Sequence, residues 1–401
     1  MDQGNDQANS KTTGHVVRVA GGMDGFTRGE WDSLSGSQKT CGNQYNPFIS
    51  YDFLSALEES GCVGGRSGWQ PHHLRLESAE GVLVGAIPCY AKSHSQGEYV
   101  FDHGWADAFE RAGGRYYPKL QSAVPFTPAT GPRLLVAGGC DPLTVKAGLA
   151  EALRIVTDRL GVSSAHVSFL PPDDVLPMEA AGFLHRTDQQ FHFFNEGFSG
   201  YDDFLATLAS RKRKALKKER REALADGISI DWLTGSDLTE RVWDDFFTFY
   251  MDTGSRKWGR PYLNRQFFSL IGERMADDIL LVMAKLNGRY VAGAINFIGS
   301  DTLFGRNWGC IEDHPFLHFE VCYHQAIDFA IANKIRVVEA GAQGEHKLAR
   351  GYQPVTTHSM HYIANPSFRR AVADYLRRER QEVELMGDYL AEHTPFRKDD
   401  Q

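Results

Sequence analysis

Cysteine is scarce in this chain and never closely paired. Its six cysteines, at 41, 62, 89, 140, 310 and 322 of 401 residues, include no C-x-x-C pair, which excludes the common zinc-ribbon and thioredoxin-like spacings and a dense disulfide framework. Reduced thiols are expected. No apolar run approaches the roughly 18 residues that a spanning helix needs, so no membrane span is expected. The start, Met1-Asp2-Gln3-Gly4-Asn5-Asp6, is polar and acidic and lacks the apolar stretch of a secretory signal. Cytoplasmic residence follows as the expectation. An excess of positive charge is also missing. The formal net charge is −8, so the protein as a whole is no electrostatic binder of nucleic acid, and any such contact must use a local basic patch.

What is present is an ordinary globular composition, 42% hydrophobic and 23% charged, in a chain longer than one core usually serves. Two domains are therefore expected. Residues 1–14 read as a disordered polar arm. In the first half a helix runs through Leu54 and Leu57. Strands follow at 74–77 and 81–87, then a long stretch from Ser93 to Pro132 that reads as loop. That stretch is rich in aromatics, among them Tyr99, Phe101, Trp105, Tyr116 and Tyr117. A loop so long inside a compact domain is usually functional or disordered, and its aromatics argue against disorder. A strand at 133–136, a helix at 143–160 and a strand at 164–170 complete this half.

The second half opens on a basic helix over about 201–225. Strands at 279–284 and 291–298 flank an Asn287-Gly288 hairpin turn, and a third strand covers 302–308. An amphipathic helix at 317–333 precedes strand 335–339, a further strand at 355–363 and a terminal helix over about 367–390. The element order of the first half is similar, although no period shows in the residues themselves.

Directly after strand 335–339 stands Gly341-Ala342-Gln343-Gly344-Glu345-His346-Lys347, then Arg350-Gly351-Tyr352. The segment gathers an acid, an imidazole, an ammonium and a guanidinium on a glycine-flexed loop, and ligands are usually held at the carboxyl ends of strands in α/β sheets. A second polar cluster lies upstream, from Arg306 to Glu320. The bland alternatives stay open: a solvated connection between strands, His318 as a helix cap or core residue, Glu320 placed to suit the helix dipole, Arg350 paired with Glu345. Cys310, His314, His318 and Cys322 recur every four residues, but Pro315 breaks a helix among them and no metal is expected.

Leu317-His318-Phe319-Glu320-Val321-Cys322-Tyr323 and the run Gly341 to Pro354 together resemble a bacterial family of predicted N-acyltransferases, described as FemAB-like or peptidoglycan biosynthesis/recognition. The first half agrees at Asn46-Pro47-Phe48, Tyr99-Val100-Phe101-Asp102, Tyr116-Tyr117-Pro118-Lys119-Leu120-Gln121 and Pro125 to Arg133. The resemblance covers about 45–385. It implies an α/β (α+β) fold of two tandem GNAT-like domains, each a mixed sheet flanked by helices. These are placed at 15–195 and 196–401, the second with a basic opening helix and a C-terminal helix.

The activity implied is transfer of an acyl or aminoacyl group from an activated donor to an amine. Such chemistry needs a base for the amine, a stabilised oxyanion and two substrates held together. Glu339, Glu345, His346 and His318 are the candidate catalytic groups. Arg306, Trp308, Glu320, Gln343, Lys347 and Arg350 are the candidate substrate-binding groups. Acetyl-CoA-binding GNAT proteins carry a Gly-rich diphosphate loop after the fourth strand. Here that place reads Arg306-Asn307-Trp308-Gly309-Cys310-Ile311-Glu312-Asp313, whose acids would repel a diphosphate. Either acyl-CoA or aminoacyl-tRNA therefore stands as the donor. Fem-type ligases have a Lys/Arg-rich helix opening their second domain, similar to the run 211–221. Arg213 and Lys217 in that run are candidates for phosphates of tRNA or of a nucleotide-linked acceptor, with a solvated helix face as the alternative. The competing function is a catalytically inactive GNAT-like protein that binds a cell-wall precursor or nucleic acid.

Overall fold

The structure, a computed structural model, describes residues 11–12, 14–36, 45–257, 261–341 and 344–397. Most of the proposed N-terminal arm lies outside these, but Lys11–Thr12 form a short strand against His15 and Val16. The chain forms two compact units, one of residues up to Asp188 plus Thr357–Val383, the other of Gln189–Thr356 plus the segment from Glu384. The division thus differs from a single cut at 195/196. The physical reason is that the last strand, Gln353–Ile363, pairs from His358 onward with Ser164–Leu170 of the first unit. The long helix Pro366–Glu392 then buries Val372 and Leu376 against Trp105, Tyr116 and Ile363.

In the first unit an antiparallel sheet runs in the order Lys11–Thr12, His15–Ala20, His73–Glu77, Leu83–Ile87, Leu135–Val136. Alternation along His73–Glu77 sends Leu74 and Leu76 into the core, where the helix Pro142–Leu160 lays Val145, Leu149 and Leu153. A second strand group joins Trp69–Pro71, Tyr90–Lys92, Lys119–Ser122 and Ser164–Leu170, with Lys119–Ser122 parallel to Ser164–Leu170 and the other pairs antiparallel. The stretch expected as loop from Ser93 to Pro132 therefore contains the strand Lys119–Ser122 and also a helix, His103–Arg111. Two of its aromatics, Trp105 and Tyr116, are core, whereas Phe101 is exposed.

In the second unit the strands Ser229–Leu233, Ile279–Leu286, Arg289–Ile298 and Thr302–Cys310 are antiparallel neighbours, and Thr302–Cys310 then pairs in parallel with Val337–Glu339. Asn287 and Gly288 take φ of +52° and +79°, the left-handed pair that a tight hairpin demands. The run Ile279–Ala284 is apolar without alternation because every one of its residues is buried. The basic helix is interrupted: Tyr201–Ala206 ends, and Ser210–Ala223 begins after a break at which the Ala209 amide donates to the Pro395 carbonyl and the Arg397 amide to that of Thr207. Bonds to the C-terminal segment replace the helical ladder there. The crossover helix contains a π-turn, Glu320–His324, between Leu317–Phe319 and Gln325–Ala332. Such turns put an extra residue into a helix and are frequent at functional sites.

Candidate functional site

The strands Thr302–Cys310 and Val337–Glu339 pair over only three residues, Thr302–Phe304. Beyond Phe304 one strand continues to Cys310 while its partner ends at Glu339, so the two part and leave a fork. Gly305 stands at the parting point, where a Cβ would come within 3.2 Å of Asn296 Oδ1 and 3.4 Å of the Glu339 carbonyl. A β-bulge follows, since Trp308 opposes Ala294 and Gly305 opposes Asn296. Arg306 and Asn307 together face Ile295, and such a bulge re-aims side chains.

An aromatic wall lies beside the bulge. The His318 ring packs edge-on to Trp308, with centroids 5.3 Å apart, and to Tyr323 at 5.6 Å. The Tyr323 hydroxyl bonds His346 Nε2 at 2.9 Å. His346 is exposed, and partial burial together with Arg350 and Lys347 holds its imidazole below the usual histidine value. It is therefore neutral near pH 7 and able to take a proton.

Lys347 is 1% exposed, and its Nζ donates to the Gly341 carbonyl at 2.8 Å. Burial first, and the Arg306 charge second, push its ammonium down to about 8. His192 is held down to about 4 by burial and by Lys347. Its Nε2 lies 3.8 Å from Glu339 Oε1, directly across the antiparallel pairing of His192 with Glu339. Glu339, His192 and Lys347 are thus buried together at the strand ends, with the partly buried Arg306 beside them.

Other sequence candidates are held by internal partners. The Arg350 guanidinium makes a two-point pair with Glu219, Nε to Oε1 at 2.9 Å and Nη2 to Oε2 at 2.7 Å, and donates from Nη1 to the His346 carbonyl at 2.7 Å. It also lies 3.5 Å over the Phe319 ring. Glu219 accepts from His324 Nε2 at 2.8 Å as well. A carboxylate only accepts, so His324 Nε2 donates to Glu219, and its Nδ1 lies 2.5 Å from the Tyr201 hydroxyl. Burial pushes the Glu219 carboxyl up, but these bonds outweigh it and hold it below the usual range. Glu320 is fully buried and accepts from Arg220 and from Gln325 Nε2 at 2.7 Å, while Arg220 also pairs with Asp328 at 2.6 Å. The basic helix therefore docks through Glu219 and Arg220 on the crossover helix. Its Lys217 lies at the surface, 2.7 Å from Asp202, and Arg213 is half-buried.

Gln343 lies outside the described residues, as does the Glu345 side chain. The residues that sequence reasoning passed over are Tyr201, Glu219, Tyr323, His324 and His192; Arg220, read with its neighbours as a phosphate-facing positive, is instead committed to Glu320 and Asp328. One of them carried a signal: Glu219 is the only acid among eight Lys/Arg in 211–221, and an isolated opposite charge marks the face that docks. Among the described residues no group of three or more His, Cys, Asp or Glu is arranged for a metal ion. No described helix is long and apolar enough to cross a membrane. Among the described cysteines, Cys89 and Cys140 are free thiols.

These features define a two-unit mixed α/β protein with a candidate site at a strand fork. Among solved structures, that of FemX has the same fold, with a TM-score of 0.53 and 11% identity over 87% of this chain and 98% of that one. A conserved protein of unknown function from Bacteroides thetaiotaomicron gives 0.52 and 12% over 87% and 100%. The C-terminal domain of a putative lysylphosphatidylglycerol synthetase from Agrobacterium fabrum gives 0.50 and 10% over 87% and 95%. No curated protein matches the chain. The model of the FemAB-like family, described as peptidoglycan biosynthesis/recognition, matches residues 23–398, and the chain belongs to that family.

Proposed function

We propose that the second unit transfers an acyl or aminoacyl group from an activated donor, an acyl-CoA or an aminoacyl-tRNA, to an amine at the fork beyond Phe304. The reading rests on one observation above the rest: an exposed neutral imidazole, His346, adjoins a buried ammonium, Lys347, whose acidity burial has raised. In this reading the amine attacks the acyl carbonyl, and His346 accepts the proton that the new C–N bond displaces. Lys347 and Arg306 carry positive charge beside the oxyanion. The C–O or C–S bond to the leaving group then breaks, and the leaving atom takes the proton back. Trp308 and His318 wall the acyl group, with Glu339 and Glu345 the further acids of the site. Arg350 acts at one remove, by fixing the His346 backbone.

Family membership and a fold shared with FemX support this reading. Mass spectrometry of the undenatured protein would identify a donor that purifies with it, and the same donor would then be assayed with amine acceptors. Acceptors that gain the donor's acyl mass, with His346→Ala slow, are expected. No transfer by the wild type, with the donor still bound, would favour the inactive binding protein.

A further inference from the structure

The second strand group of the first unit has one apolar and one polar face. Ala91, Leu120, Ala165, Val167, Met360 and Tyr362 face the core. The residues alternating with them are Lys92, Lys119, Gln121, Ser164, His166 and His361, all buried. A polar sheet face normally meets water. Here the strap Ser93–Asp102 covers it, turning at Gly97 (φ +79°) and at Tyr99, whose φ of +61° is uncommon for a residue with a side chain.

Lys119 holds the strap. Its Nζ donates to Ser95 Oγ at 2.8 Å, to Glu98 Oε2 at 2.7 Å and to Asp102 Oδ2. Those three bonds exhaust its donors. Asp102 Oδ2 also takes the Tyr116 hydroxyl at 2.6 Å. Each carboxylate spends one oxygen on Lys119 and leaves the other, Glu98 Oε1 and Asp102 Oδ1, buried without a hydrogen bond. Lys92 Nζ stops 3.8 Å short of Glu98 Oε1, drawn to the Gln96 carbonyl at 3.1 Å and over the Trp69 ring at 3.7 Å.

We propose that this strap-covered carboxylate pair is a binding site for a ligand bearing a primary ammonium, whose N–H groups reach Glu98 Oε1 and Asp102 Oδ1. As carboxylate oxygens the unfilled atoms are acceptors, so the ligand must donate, and its ammonium must hold Glu98, whose carboxyl burial pushes up to about 7, in the ionised form. Both carboxylates bond the same Lys119 nitrogen, so their two free oxygens belong to one cluster. Burial pushes the Glu98 carboxyl up to about 7 and the Lys92 ammonium down to about 7, so the neighbouring cation is weakened beside a carboxylate oxygen that lacks a donor. The other groups facing the pair are settled: Lys119 is held protonated, Asp102 ionised, and Tyr116, Tyr117 and His166 neutral.

The proposal concerns binding by the first unit and stands apart from transfer at the fork. Calorimetric titration of the full chain with ethanolamine tests it, with choline, which has no N–H, as the matched control. Ethanolamine binding without choline binding is expected. Glu98→Gln should weaken it by about tenfold or more, the usual worth of a charged hydrogen bond. Lys92→Met should tighten it by removing the competing cation, a gain that misfolding cannot imitate. No heat with ethanolamine, equal binding of choline, unchanged affinity in folded Glu98→Gln or weaker affinity in Lys92→Met would each overturn it. An amine that binds without transfer would leave this site standing and remove the transfer reading; transfer without such binding would do the reverse.

Discussion

Glu219 and Arg350, 131 residues apart in the chain, form a two-point ion pair with side chains only 12% and 7% exposed. The same carboxylate bonds His324, so one acid from the basic helix ties the loop after the sheet to the crossover helix. Removing one partner of a buried pair strands the other charge and costs about 3–5 kcal/mol. Glu219→Ala should therefore lower the melting temperature sharply, with Arg350→Ala close behind and the double variant less than additive. Additive losses in a thermal-melt cycle would show the two acting separately.

His346 should behave in the opposite way. His346 is exposed, so His346→Ala should leave stability within about 1 kcal/mol while cutting transfer by roughly 10²- to 10⁴-fold. The rate should also be bounded on both sides in pH. Below the lowered histidine range the base is protonated and the rate falls; above about 8 the Lys347 ammonium is lost and the rate falls again. Lys347→Met should remove the alkaline limb and leave the acid one. A profile that keeps its alkaline limb in Lys347→Met would take Lys347 out of the mechanism.

Much of the second unit was legible because its periodicities are clean: the buried strand Ile279–Leu286, the Asn287-Gly288 turn and the crossover helix all fall where the residues put them. The loop motif was legible as chemistry, but its internal division was not. Arg350 and His346 are four residues apart, yet one is buried in an ion pair and the other reaches the surface, and only the position of Glu219 decides which. The return of Thr357–Val383 to the first unit is a long-range pairing with no local signature. The Ser93–Asp102 strap reads as loop because its order comes from Lys119, outside the segment.

Gly309 gives a test of packing at the site's edge. A Cβ there would come within 2.1 Å of the Phe249 carbonyl oxygen, a backbone atom that cannot swing aside. Cys310 fixes the same approach by donating its amide to Thr253 Oγ1 at 3.1 Å. Gly309→Ala should cost about 1–3 kcal/mol by overpacking. An unchanged melting temperature would mean that the helix and strand are less tightly apposed.

The basic helix offers a salt-dependence test. Its inner face is committed through Glu219 and Arg220, whereas Arg211, Lys212, Lys214, Lys217 and Lys218 are exposed. Polyanion binding by these residues should fall steeply as salt rises, because each phosphate contact releases counterions. Charge reversal at Arg213 and Lys217 should weaken tRNA or polyphosphate binding and flatten its salt slope, as read by filter binding at several salt concentrations. Equal slopes would reduce the patch to a solvated face.

Acid should destabilise the fold well before most carboxylates titrate. Burial holds His166 down to about 3, and His185 and His192 each down to about 4. A histidine whose folded value lies below its unfolded one binds its proton more readily in the unfolded chain. The stability tied to it is whole above the unfolded value of about 6.5 and is lost as pH falls towards the folded value. For a fully buried histidine such as His192 the loss is on the order of 3 kcal/mol; the half-buried His185 contributes less. Glu98 opposes the trend, since its raised value makes the folded state the better proton acceptor between about 7 and the ordinary glutamate range. The fully buried His361 is pushed down further still, and although burial also raises the Asp174 and Asp328 carboxyls, the buried imidazoles leave a net loss. The melting temperature should hold near neutrality and decline steadily between about pH 6 and pH 4, and His192→Asn should flatten that decline. A melting temperature constant over the interval would mean that these imidazoles take up protons in the folded state, and that their surroundings are wetter than their burial implies.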